Sequence, residues 1–217
     1  MNDLFEKLSS LTPIYCEHQK STLFTEPLNL VTSVSFLAVA FLIYQLVKRH
    51  GKQGWIYKAL PLLILFTGIG STLWHAFRHP YSLLVDAIPI YVTTQLLLFM
   101  ILQKLTSKIA LSALLTGLFT LTIILLSATV PSDFLNGSIR HVTAIVTLAL
   151  LVTWSYKRFG NLTHQLTATT LFYAFAITLR SMDLRLCSAI SVGTHFLWHL
   201  LASISLYLII KFLIETE

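Results

Sequence analysis

Charge is scarce in this chain: only 11% of its 217 residues are Asp, Glu, Lys or Arg, whereas 55% are hydrophobic. With a mean hydropathy of +0.76, the balance lies far from that of soluble domains and excludes a disordered chain or a large nucleic-acid surface. Two cysteines are too few for a secreted disulfide scaffold. The sequence also lacks an internal repeat, a Gly-rich phosphate loop and a low-complexity stretch. What it has instead is long apolar runs. A helix needs about 20 apolar residues to cross a ~30 Å hydrocarbon core, so seven spans take roughly 140 residues and leave no room for a Rossmann-type domain on a tail anchor.

The runs fall near Leu28 to Val47, Tyr57 to Phe77, Ser82 to Leu102, Ile109 to Ala128, Ile139 to Tyr156, Leu162 to Leu179 and Ala189 to Ile214. They predict an all-α integral membrane protein: a single domain over residues 1–217 built as a seven-transmembrane-helix bundle. Barrel strands are excluded, because they alternate with period two over about ten residues. The sixth run, with Thr163, His164, Gln165 and Thr167, is the most polar. Residues 1–26 carry Asp3, Glu6 and Glu17 and no long apolar core. They are expected to be an extramembrane tail rather than a cleavable signal peptide.

Seven spans sort the charges onto two sides. The side of the tail holds Lys7, Lys20, Arg78, Arg140, Arg180, Arg185 and seven of the nine acids, a net −1; the opposite side holds nine of the fifteen basic residues and nets +7. Lys and Arg favour the cytoplasmic side, so the N-terminus is expected outside and the C-terminus in the cytoplasm. The Asn161-Leu162-Thr163 sequon then falls on the cytoplasmic side and is expected to be silent.

Eight histidines in so apolar a chain need a reason. His75 with His79, and His195 with His199, form H-x-x-x-H pairs, a spacing that puts both rings on one helix face. His79 precedes Pro80, where the second span is ending, and reads as interfacial. An ionisable group inside a span is costly and by default functional. The alternation of spans brings His75, His195, His199 and Asp86 into one leaflet, with Ser71 one turn before His75. Three neutral imidazoles with one open position are the ligand set of a catalytic zinc site. Pro89 removes the backbone donor that would meet Val85, loosening the helix beside Asp86. Each residue alone has an ordinary explanation: Ser71 bonding back to a carbonyl, Asp86 favouring a helix N-terminus. Haem held between histidines, or a di-iron desaturase site, competes for the histidines, although the latter usually needs adjacent pairs and this chain has no His-His. His141, Arg180 and Arg185 lie at the same surface; His141 could support the site and the arginines could attract an acidic headgroup or a product carboxylate, but interfacial and snorkelling roles are the ordinary reading.

The segment Gly68-Ile69-Gly70-Ser71-Thr72-Leu73-Trp74-His75-Ala76 resembles the G-x-x-S-x-x-F-H-A element of alkaline ceramidases, members of a superfamily that includes adiponectin receptors. His195-Phe196-Leu197-Trp198-His199 resembles the family's H-x-x-W-H, and Tyr15-Cys16-Glu17 its W-C-E, with Glu26 and Asn29 echoing the entry to the first span. The resemblance runs in order over nearly the whole chain.

It implies a zinc-dependent amide hydrolase that cleaves ceramide, or another N-acyl lipid, into a sphingoid base and a fatty acid. By position, His75, His195 and His199 would hold Zn2+, Ser71 would donate to the oxyanion, and Asp86 would take a proton from the attacking water and return one to the leaving amine. Relatives also bind a calcium ion. Here it would have Glu17, Gln19 and Glu26, but Ile14 stands where the family has an aspartate, so Ca2+ is not expected to bind tightly. Both cysteines fall on the non-cytoplasmic side; placement alone leaves two unrelated thiols open, and the family pattern implies a Cys16–Cys187 disulfide. Other classes consistent with the residues are a seven-span lipid receptor or scaffold with a structural metal, and a metal-dependent lipid oxidoreductase. A structural zinc site is usually closed by four protein ligands, so three histidines favour the enzyme. The expected setting is a bacterial inner membrane or an ER or Golgi membrane, with the site in the non-cytoplasmic leaflet.

Overall fold

The computed structural model describes residues 13–18 and 24–216. Seven long helices follow one another: α1 (Pro27–Arg49), α2 (Trp55–Phe77), α3 (Pro80–Thr106), α4 (Ile109–Thr129), α5 (Ile139–Phe159), α6 (Thr163–Leu186) and α7 (His195–Glu215). No strand occurs among the described residues. Pro27 and Pro80 open α1 and α3 at first-turn positions, where a missing N–H costs nothing and the fixed φ suits a helix.

Among the described residues, six helices, not the expected seven, are long and apolar enough to cross a membrane. The stretch Ile139–Leu186 counts once, as a run of 48 residues. Its α5 and α6 portions are joined through a 3-10 turn, Gly160–Leu162. Gly160, at φ 52°, takes the positive backbone angle that lets the chain leave α5. The sixth and seventh runs also shift from their expected bounds. α6 continues past Leu179 to Leu186, and α7 begins at His195 rather than Ala189.

Consecutive helices pack against one another, and α7 returns to α1, closing the bundle, while also touching α3. Ile43, Leu60, Ile64, Ile101, Ile210 and Phe212 are fully buried between them. Phe41, Leu62, Phe66, Ile124, Leu150 and Leu171 point outward and are exposed. An apolar rim around an apolar core is the signature of a protein whose solvent is lipid. Helix hydroxyls accordingly bond to the chain itself: Thr32 to the Leu28 carbonyl at 2.8 Å, Thr67 to Leu63 at 3.0 Å and Thr72 to Gly68 at 2.8 Å.

Candidate metal centre

The end of α2 meets the start of α7. His75 on α2 and His195 and His199 on α7 come together, each at most 2% exposed, with one ring nitrogen from each within 4.8 Å of the others. Their ring centroids lie 5.2 Å (His75–His195), 4.8 Å (His75–His199) and 4.8 Å (His195–His199) apart. His79 is exposed outside this cluster.

The outer nitrogens fix the rings. His75 Nδ1 lies 2.5 Å from Glu26 Oε2, and His199 Nδ1 lies 2.9 Å from Thr32 Oγ1. Each contact leaves Nε2 for the cluster, the arrangement in which a second group orients a metal-ligating histidine. Nδ1 of His195 is buried without a hydrogen-bond partner, and its ring is held by stacking on Tyr15, with centroids 3.6 Å apart and planes 15° from parallel. Three buried imidazoles, two anchored through Nδ1 and the third stacked with an orphaned nitrogen, suit a divalent borderline cation. They could hold a metal ion, and no fourth His, Cys, Asp or Glu belongs to the group among the described residues.

Ser71 lies one turn from His75, buried, with its Oγ 2.9 Å from Ser33 Oγ on α1. Asp86 comes from α3. Gly70 explains how the two helices approach: a Cβ there would lie 2.8 Å from the Asp86 Cα and closer still to the Val85 carbonyl oxygen. Pro89, inside α3, has no N–H for that carbonyl, and the face of Gly70 fills the opening. Ser71, His75, Asp86, His195 and His199 all line one cavity of about 380 Å³, which continues past Tyr91 and Ser127 towards α4. Three of its lining residues, Phe36, Ile90 and Trp198, also line an apolar cavity of about 100 Å³ deeper in the bundle.

Two groups expected at the interface are instead in the wall of the cavity. His141 Nδ1 lies 3.0 Å from the Tyr173 hydroxyl. Arg180 does not snorkel: it is buried, donating to the Asn136 carbonyl at 2.9 Å, Ser138 Oγ at 2.6 Å and the Tyr15 hydroxyl at 3.2 Å. Burial raises the Tyr15 pKa, and the charge of Arg180 opposes the rise.

The tail is tied across this end of the bundle by a Cys16–Cys187 disulfide, with Cα atoms 5.4 Å apart. The carboxylates expected near it as calcium ligands have partners within the chain. Glu17 is buried with both oxygens used, accepting the backbone N–H groups of Leu28 and, at 2.8 Å, Asn29. Burial raises its pKa, and the N–H groups of Asn29 and Leu28 oppose the rise. Glu26 faces His75, Ile14 is 59% exposed, and Gln19 lies outside the described residues. Among the described residues, the group of His, Cys, Asp or Glu side chains gathered closely enough to hold a metal is the histidine cluster.

Thr32, Ser33, Arg78 and Asp183 join the site without a sequence motif to mark them; each acts on a residue far away in the chain.

An all-helical membrane protein with a buried three-histidine cluster opening on a cavity is thus defined. The chain belongs to the ceramidase family, whose profile matches residues 10–216. Comparison with curated proteins yields no match.

Proposed function

We propose that the chain is a zinc-dependent lipid amide hydrolase, a ceramidase that cleaves ceramide into a sphingoid base and a fatty acid. The observation that carries this reading is the convergence of His75, His195, His199, Ser71 and Asp86 on one cavity, in a member of the ceramidase family. The three histidines would hold the metal, His75 and His199 through the nitrogens left free by Glu26 and Thr32 and His195 through a ring nitrogen of an imidazole held by stacking on Tyr15. When bound, zinc would supply a Lewis acid that polarises an acyl carbonyl and acidifies a water. Ser71, steadied by Ser33, donates its O–H to the carbonyl oxygen as negative charge develops there. Asp86 accepts a proton from the attacking water and delivers one to the departing amine nitrogen. The apolar cavity beneath accommodates hydrocarbon, and the bundle walls exclude bulk water from the charges that form.

In this reading the chain crosses the membrane seven times, reversing at Gly160–Leu162 so that α5 and α6 each span it. The packing of α5 on α6 and the +7 against −1 charge asymmetry support that topology. It puts the N-terminus and the site on the non-cytoplasmic side, consistent with the disulfide.

The test is elemental analysis of the purified protein together with fatty-acid release from a panel of N-acyl and O-acyl lipids. Zinc and amide-selective release are expected; His75→Ala, His195→Ala and His199→Ala should each lose both, and His79→Ala neither. Zinc-loaded protein that turns over no acyl lipid would move the assignment to a receptor with a structural metal.

A further inference from the structure

Arg78 follows the last turn of α2 in a left-handed conformation, φ 51° and ψ 28°, which a non-glycine residue adopts only when its surroundings compensate. The surroundings are specific. The guanidinium carbon lies over Trp74, 3.9 Å from the ring centroid, with Tyr15 at 5.5 Å. Its Nε is 3.3 Å from Glu26 Oε1, and one Nη donates to the Pro13 carbonyl. Both members of the ion pair are sequestered: the Arg78 side chain is 9% exposed and that of Glu26 is fully buried.

Glu26 is the pivot. Its other oxygen holds His75 Nδ1, and Asn29 Nδ2 donates to the same atom at 3.3 Å. Its backbone N–H donates to the His75 carbonyl at 3.1 Å, and Thr25 N–H to Ala76 at 3.1 Å, so the entry to α1 is bonded to the end of α2. A carboxylate this deep, beside an imidazole that must stay neutral to ligate a metal, needs a permanent positive charge. His18, 3.4 Å from Glu26 Oε1 and 26% exposed, is charged only when protonated. Guanidinium suits the place: weakly hydrated, able to lie over an indole, donating to the Pro13 carbonyl while its charge stands at ion-pair distance from Glu26 Oε1, which has no hydrogen-bond partner.

We infer that the cation beside Glu26 is the chain's own Arg78 guanidinium rather than a bound metal ion, and that Arg78 positions the metal ligand His75 through Glu26. The second half rests on the metal reading above; the first does not. With Glu17 engaged at the start of α1 and Ile14 apolar, the positive charge beside Glu26 is covalently attached rather than exchangeable. The link between the N-terminal segment and the histidine cluster therefore does not depend on ambient calcium.

The test uses the full chain in detergent, as wild type, Arg78→Lys and Arg78→Gln. Zinc affinity is measured by competition with a chromogenic chelator, and Tm over an EGTA-buffered calcium series. Wild type should carry no calcium and show no calcium-dependent rise in Tm. Arg78→Gln should lose about 10–100-fold in zinc affinity, the usual effect of removing support behind a ligand, and Arg78→Lys should recover part of it. Stoichiometric calcium in wild type, or a Tm that climbs with calcium, overturns the inference without any variant. Wild-type zinc affinity in Arg78→Gln overturns the positioning role. Wild type that retains no zinc overturns the metal reading, while the calcium series still decides which cation sits at Glu26.

Discussion

The Asp183 carboxylate accepts the backbone N–H of His195 at 2.8 Å, so the helix that carries two of the three clustered histidines is capped by a residue twelve positions upstream. The same Oδ1 accepts Thr194 N–H at 2.6 Å, and Oδ2 accepts Cys16 N–H at 2.9 Å. One buried side chain thus satisfies three backbone donors from two segments and, as an anion at a helix N-terminus, is favoured by the dipole. Gly193, at φ 69°, makes the approach feasible: a Cβ there would collide with the Asp183 carboxylate and lie 2.8 Å from Cys16 Cβ.

Asp183→Ala should therefore cost more than an ordinary surface change. Each buried N–H left unpaired is worth about 1–3 kcal/mol, and the loss falls where α7 delivers His195. A large drop in Tm with weakened metal retention is expected, and Asp183→Asn, which keeps acceptor oxygen at one position only, should fall between. Thermal unfolding with elemental analysis of the same samples checks both. An Ala variant as stable as wild type would mean that the α7 cap is dispensable.

Most of the helical framework is legible in the composition, because lipid requires every backbone group to be paired within the helix and so imposes long apolar runs. α1 lies within two residues of its expected bounds at each end. The misplacements are where tertiary contacts override hydropathy. α6 runs on through Arg180 and Asp183, whose polar groups are satisfied by Tyr15, Ser138, Thr194 and His195, partners invisible to a scan along the chain. Residues 189–194, apolar enough to suggest helix, form turns because the Asp183 cap sets the start of α7 at His195. The histidine cluster is foreshadowed by i, i+4 spacing and by leaflet. Arg180 reads as a snorkelling cation, and Arg78 enters only as a charge on the tail side, because sequence records their charge but not the carboxylate, carbonyl, hydroxyl and aromatic groups that come from elsewhere to bury them.

Gly70 gives the second prediction. A Cβ there would lie against the Val85 carbonyl, to which Pro89 offers no N–H, and a methyl group has no space against backbone. Gly70→Ala should push α2 and α3 apart at the level of Ser71 and Asp86, costing roughly 1–3 kcal/mol in overpacking and more in turnover than in metal content, since the histidines sit on α2 and α7. The comparison is kcat against bound metal per chain. Loss of metal in step with activity would show that the disturbance spreads to the α2–α7 contact.

The last prediction separates proton transfer from metal holding at Asp86. The residue lines the cavity with all three histidines but is not among the side chains whose donor atoms gather into the metal-binding group. Its place beside Ser71, on a helix the histidines do not use, suits a group that handles a proton rather than one that binds the ion. Asp86→Asn preserves the shape and removes the basic oxygen pair, so the variant should keep its metal and its Tm while turnover falls by about 10²–10⁴-fold, the usual range for a positioned general base. Because the amide cannot gain the missing proton acceptor by titration, raising the pH should recover little of the loss except through hydroxide itself. Single-turnover assays on metal-counted protein distinguish the outcomes: full metal with slow chemistry supports the proton-transfer role, whereas a metal-free Asp86→Asn protein would make Asp86 a fourth ligand and close the position on which the proposed hydrolysis depends.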